Sequence, residues 1–232
     1  MGLAEFYSNP IFGVAITVLV YAVARALHDR QRWLHPLLFT CGVLIGLLLL
    51  AHIPYSEYRH GGDIVSFFLG PTTIALGVPF YKNARHIGRH LLATLGSVAT
   101  GAACGIVSAF IFVKCTGGSD VVLRSMLPKS VTTPISIEIS RQLGGSPSLT
   151  AVFTVLAGLL GSVVGPWILR RCGVRGDIAI GLAMGTSSHG IGTARVVQES
   201  ELQGGASGLA MALAGVFTSI LAVPLKWWFL QH

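Results

Sequence analysis

Six apolar runs, roughly residues 11–27, 34–53, 63–81, 91–113, 148–169 and 205–230, alternate with shorter polar segments. At 1.5 Å per residue each is long enough to cross about 30 Å of hydrocarbon, so the pattern predicts about six full membrane spans. The third run holds Gly70-Pro71 and Pro79 and is expected to kink. Two segments interrupt the pattern. Leu127–Gly145 reads LPKSVTTPISIEISRQLGG, and Gly185–Glu201 reads GTSSHGIGTARVVQESE after a short apolar lead-in, Ile178–Met184. Both are too polar to face lipid and too short to be a soluble domain. Such backbone is tolerated at membrane depth only where it is buried in protein or lines a wet cavity. The fold class expected is therefore all-α, a polytopic membrane protein of one domain over residues 1–232, with two broken or re-entrant segments that form the functional site.

Composition agrees with this pattern. Of 232 residues, 52% are hydrophobic and 11% charged, against about 25% charged in a soluble domain. A net charge of +7 invites a nucleic-acid reading. The basic residues lie in short loops between apolar runs, however, so topology accounts for them and no nucleic-acid partner is expected. The four cysteines form no CxxC pair, so neither a structural disulfide nor a metal site is expected, and no cofactor. The first run lacks a charged leader and a small-residue cleavage site and is expected to stay as a helix.

Loop charge sets the expected orientation. Arg25, Arg30 and Arg32, then Lys82, Arg85 and Arg89, then Arg170, Arg171 and Arg175 follow runs one, three and five. The positive-inside rule puts these clusters in the cytoplasm and both termini outside. A full crossing within residues 125–140 would move Arg170, Arg171 and Arg175 outside, so that segment is expected to return to its own side. An internal repeat points the same way. Aligning Gly144-Gly145 with Gly204-Gly205 brings Thr133 onto Thr193 and Leu149 onto Leu209. The expected unit is a broken polar segment, a Gly-Gly turn and an apolar helix ending near a proline, used twice as an inverted repeat.

The polar segments carry the candidate chemistry. Pro134 lacks an amide donor and disfavours helix at Thr133, while Gly190 and Gly192 permit non-helical backbone. A helix restarting there offers free N–H groups and partial positive charge, which favour anions. Ser130, Thr132, Thr133, Thr186, Ser187, Ser188 and Thr193 can add neutral hydrogen bonds. Lys129 or Arg195 can add a full charge, Arg195 as a two-pronged clamp. Plainer roles stand beside these. Lys129 can snorkel to an interface, and Arg195 can be locked by Glu138 or Glu199. His189 is either a packed neutral ring or a proton-coupling group. Glu138 is either a proton carrier or the partner of a basic residue. The hydroxyls can simply bond back to the preceding helical turn. Ser187-Ser188-His189 lacks a nucleophile-elbow pattern and an orienting acid, so the chain is not expected to be an enzyme.

LPKSVTTPI, GLAMGTSSHGIGTAR over Gly181–Arg195 and GPTTIALGVPFY over Gly70–Tyr81 closely resemble the LrgB/CidB family of bacterial membrane proteins. The resemblance covers essentially the full chain. It implies a multi-pass inner-membrane protein and two functional readings. The first is transport of small monocarboxylates such as pyruvate, glycolate or glycerate; the polar segments themselves offer Lys129, Ser130, Thr132, Thr133, Pro134, Thr186, Ser187, Ser188, His189, Gly190, Thr193 and Arg195 as the expected substrate site. The second is a holin/antiholin-like modulator of murein hydrolase activity and autolysis. It also implies a small LrgA/CidA-type membrane partner, and it is compatible with a homo-oligomer. The two matched polar segments favour transport, since a pore built from lipid-facing helices has no need of them.

Overall fold

The computed structural model describes residues 7–31, 36–68 and 91–231, with isolated positions between 69 and 90. Every element among the described residues is a helix. Four are long and apolar enough to cross a membrane: α1 (Pro10–Arg30), α4 (Leu91–Cys115), α7 (Pro147–Arg171) and α9 (Glu201–Gln231, apolar to Phe229). The second apolar run forms α2, a shorter apolar helix (Pro36–Leu50). Most of the third run, with the expected kink at Gly70 and Pro79, lies outside the described residues.

The chain forms two compact units, Met1–Ala75 and Leu76–His232. In the first, α3 (Tyr55–Phe67) begins earlier than hydropathy alone suggests. Pro54 precedes it and Glu57 sits in its first turn, where negative charge favours the helix N-terminus. Gly13 and Gly61 let α1 and α3 touch backbone to backbone, since a Cβ on Gly13 would sit 2.7 Å from Tyr58 O. Thr17 Oγ1 and Tyr58 Oη, 2.9 Å apart, tie the same contact.

The second unit holds both polar segments. Four shorter or broken elements fill the space between its long helices: α5 (Asp120–Met126), α6 (Thr133–Leu143) and the two halves of α8 (Asp177–Val196). Its core is formed by α4, α5, α6, α8 and α9, with Val98, Leu123, Leu127, Val131, Leu143, Leu182 and Ala210 buried together. Helix α7 packs by glycine. A Cβ on Gly158 would meet the His189 ring at 2.7 Å, one on Gly161 would strike Ser188 Oγ, and one on Gly165 would meet Met184 Sδ at 2.7 Å. Small residues of this kind are how membrane helices gain close van der Waals contact without a hydrophobic drive.

Candidate functional site

The first polar segment is a hairpin. Helix α5 stops at Met126, residues 127–132 turn, and α6 begins at Thr133 with Pro134 in its first turn, where the missing N–H costs nothing. Its two arms rejoin at the mouth. Ser125 Oγ accepts from the Ser146 amide at 2.8 Å, and Arg124 Nη1 donates to Leu143 O at 3.4 Å. Gly144, at φ 78°, ends α6 in the left-handed conformation that glycine adopts without steric cost. Proline therefore starts the second arm rather than interrupting a longer helix.

The second segment is also a hairpin, and its mouth faces the other end of α7. At its start, Asp177 accepts from Ser200 Oγ (3.1 Å) and Gln203 Nε2 (2.8 Å), which lie just beyond its end. Glu199 reaches Arg170 at the carboxyl end of α7 (2.6 Å). The break falls on His189 itself, with φ 41° and ψ −133°, and not on a glycine. Gly190 and Gly192 do not carry positive φ. Gly192 serves packing instead, because a Cβ there would come within 2.8 Å of Met184 O.

Both tips are fastened to one residue of α7. Ser136 Oγ donates to Pro128 O (2.7 Å) and lies 2.8 Å from Thr154 Oγ1. His189 Nε2 lies 3.0 Å from Thr154 O. A carbonyl only accepts, so His189 carries its proton on Nε2 and this bond fixes the ring. The ring is 3% exposed, placed as a packed and bonded group.

Beside the tips lies a cavity of about 1030 Å³. The first hairpin contributes Lys129 and Ser130 to it, and the second contributes Thr186, Ser187 and Ser188. Lys129 Nζ donates to Gly105 O at 3.2 Å, and no carboxylate lies within 4.0 Å of it among the described residues. The hydroxyls of Thr186 and Ser187 bond back to Leu182 O and Ala183 O, both at 2.7 Å. The far wall is α4, where Gly101 faces Thr186 and Gly105 faces Ser130. Thr94, Ser97, Cys104 and Ser108 share that wall. Thr94 Oγ1 is buried and has no hydrogen-bond partner among the described residues. Sequence reading passed over these four because they lie within a strongly apolar run. With Gly101 between them they recur every three or four positions on one helical face, which is the signal the sequence offers.

The remaining candidates lie outside this lining. Thr132 caps α6 without a side-chain bond, and Thr133 and Pro134 form its first turn. Thr193 is buried against α9, bonded to His189 O and 2.8 Å from Ser207 Oγ. Gly190 is half-buried near Met211. Arg195 is held by Glu199 at 2.8 Å, and Glu199 also holds Arg170, so two cations share one carboxylate. Glu138 is exposed, paired with Arg141 at 2.7 Å and Gln142 at 3.2 Å.

Residues 17–228 match the model of the LrgB-like family. The chain belongs to the LrgB-like family. Similar proteins include the uncharacterized protein YwbG of Bacillus subtilis, 37% identical over 92% of this chain and 96% of its own length. The holin-like protein CidB of Staphylococcus epidermidis is 32% identical, covering 93% of this chain and 95% of its own. The antiholin-like protein LrgB of Bacillus cereus is 31% identical, covering 94% and 95%. No solved structure matches. LrgB-like membership and the long apolar helices make this a multi-pass protein of the bacterial cell membrane.

Proposed function

We propose that this chain is a holin/antiholin-like membrane protein that modulates murein hydrolase activity and autolysis. The observation that carries this reading is full-length similarity to relatives named holin-like CidB and antiholin-like LrgB. A small LrgA/CidA-type protein is its expected partner in the membrane. The test is autolysis. Cells expressing the chain, with and without that partner, should differ from empty-vector cells in lysis rate and zymogram activity. Identical rates and zymograms in every pairing would reject this reading.

A second reading is transport of small monocarboxylates, and one observation favours it. Lys129, a cation without a carboxylate partner, lines a cavity together with hydroxyls from both hairpins and α4. At an effective dielectric near 20, a carboxylate about 4 Å from an ammonium gains ~4 kcal/mol before desolvation is counted. Ser130 and Ser187 then offer neutral hydrogen bonds in the same cavity. In this reading Lys129, rather than Arg195, takes the carboxylate, because Arg195 is already held by Glu199. Altered carboxylate flux would also alter autolysis, so the two readings are compatible. Uptake of labelled pyruvate, glycolate or glycerate into proteoliposomes, with and without the small partner, separates them, and no uptake of any of the three rejects transport.

The membrane plan we attach to both readings has six spans, both termini outside and the two hairpins as an inverted pair. Their opposite mouths support it. So do the contacts of Glu199 and Glu201 with Arg170 and Lys82, which bring two of the basic clusters to one end of the second unit.

A further inference from the structure

A smaller pocket, about 540 Å³, lies between α6 and α9 and has no part in either reading above. Its walls are apolar, with Ile135 and Ile139 from α6 and Val223 from α9. Its polar groups are Glu138, Gln142, Ser219, Lys226 and Trp227.

Three observations say what such a pocket suits. The first is depth. Lys226 and Trp227 lie within the last turn of the apolar span that ends at Phe229, and Trp227 is 68% exposed. Tryptophan and lysine at the end of a span mark the membrane–water interface. Glu138 lies six residues before Gly144 at the hairpin mouth, about 9 Å along a helix. The pocket thus spans the boundary between headgroups and acyl chains. The second is charge. Arg141 and Gln142 already satisfy Glu138, whereas Lys226 has no carboxylate within 4.0 Å among the described residues. The net charge left over is one positive charge. The third is shape: a polar rim above an apolar wall fits an amphiphile and not a free ion.

We propose that the pocket between α6 and α9 binds an anionic membrane phospholipid of the phosphatidylglycerol type. Lys226 Nζ holds the headgroup phosphate, and one acyl chain lies along Ile135, Ile139 and Val223. A phosphatidylethanolamine fits less well, because its ammonium would need Glu138, which Arg141 already occupies.

Native mass spectrometry of the full chain, delipidated in detergent and offered equal phosphatidylglycerol and phosphatidylethanolamine, tests this. Wild type should retain phosphatidylglycerol in preference. Lys226→Gln should lower that retention about tenfold, as expected for loss of a charged hydrogen bond, and Lys226→Arg should keep it. Gel filtration and helical circular dichroism confirm that each variant is folded, and the arginine variant separates loss of charge from loss of structure. Equal retention of the two lipids, or unchanged retention in Lys226→Gln, would overturn the proposal. So would displacement of the lipid by millimolar inorganic phosphate, which would identify a free-anion site.

Discussion

The sequence favours Arg195 for the anion-binding charge with Lys129 as runner-up, and the contacts favour the reverse order. Arg195 is in an ion pair with Glu199, a residue it shares with Arg170, while Lys129 bonds only a carbonyl beside the cavity. If the chain carries carboxylates, Lys129→Gln should weaken apparent affinity roughly ten- to a hundredfold, the loss of one charged hydrogen bond of about 1.5–3 kcal/mol. Lys129→Arg should restore part of it, and Arg195→Gln should leave affinity near wild type. Concentration-dependent uptake into proteoliposomes measures all three. A large loss in Arg195→Gln would return the anion to that residue. Thr154 is the other residue whose weight sequence did not reveal. Its side chain meets Ser136 and its carbonyl meets the His189 ring, so one position of α7 fastens both hairpin tips. Thr154→Val keeps the shape and the carbonyl. It should cost about 1 kcal/mol, as typical for one hydrogen bond, read as a lowered thermal midpoint in detergent. Ser136 keeps its bond to Pro128 O, which limits the loss.

At the scale of elements, glycines decide how closely the broken helices approach. A Cβ on Gly185 would strike Ser207 O and lie 2.9 Å from Ser207 Cα, so backbone of α9 must move. Gly185→Ala should therefore cost about 1–3 kcal/mol, the usual range for overpacking. Gly96 has nothing within 4 Å of a built Cβ and lies inside α4. Gly96→Ala should be neutral or stabilising by up to about 1 kcal/mol, as expected from helix propensity. Thermal unfolding of the two variants in one detergent gives the comparison. Equal shifts would mean that close approach is not what Gly185 provides. The same reasoning explains why the break in α8 falls on His189 although the sequence points to glycine. Gly190 and Gly192 advertise flexible backbone in sequence, yet Gly192 is spent on contact with Met184, and the unusual dihedrals fall on His189. A histidine holds φ 41° there because its ring is bonded to Thr154 O and packed against Gly158 of α7. That compensation comes from another helix and leaves no local sequence trace.

For the whole molecule, the hairpins carry a topological consequence. In the membrane plan proposed above each returns to the side it came from, so α7 would cross alone between them and Arg171 would lie on the opposite side of the membrane from Gly144. With the basic loops inside, a cysteine at Arg171→Cys should resist a membrane-impermeant maleimide in intact cells and react after permeabilisation. Labelling from outside would reverse the orientation. Hydropathy by itself determined the helices: apolar residues enough to cross the bilayer leave a backbone no alternative to satisfying its own hydrogen bonds. Runs one, two, four, five and six all appear as α1, α2, α4, α7 and α9, within a few residues of the sequence boundaries. The polar content of Leu127–Gly145 and Gly185–Glu201 likewise marked them as segments that need protein or water around much of their surface, and the motifs within them determined the family. Only the tertiary structure decided which of their residues share a space. Lys129, Ser130, Thr186, Ser187 and Ser188 line one cavity, while Thr193 and Arg195 turn to other partners and Thr133 opens α6 outside that lining. The physical reason is that a helix face is fixed by its own periodicity, but the neighbour it meets is fixed by packing. Small residues on α4 and α7, silent in hydropathy, are what bring the two hairpins together.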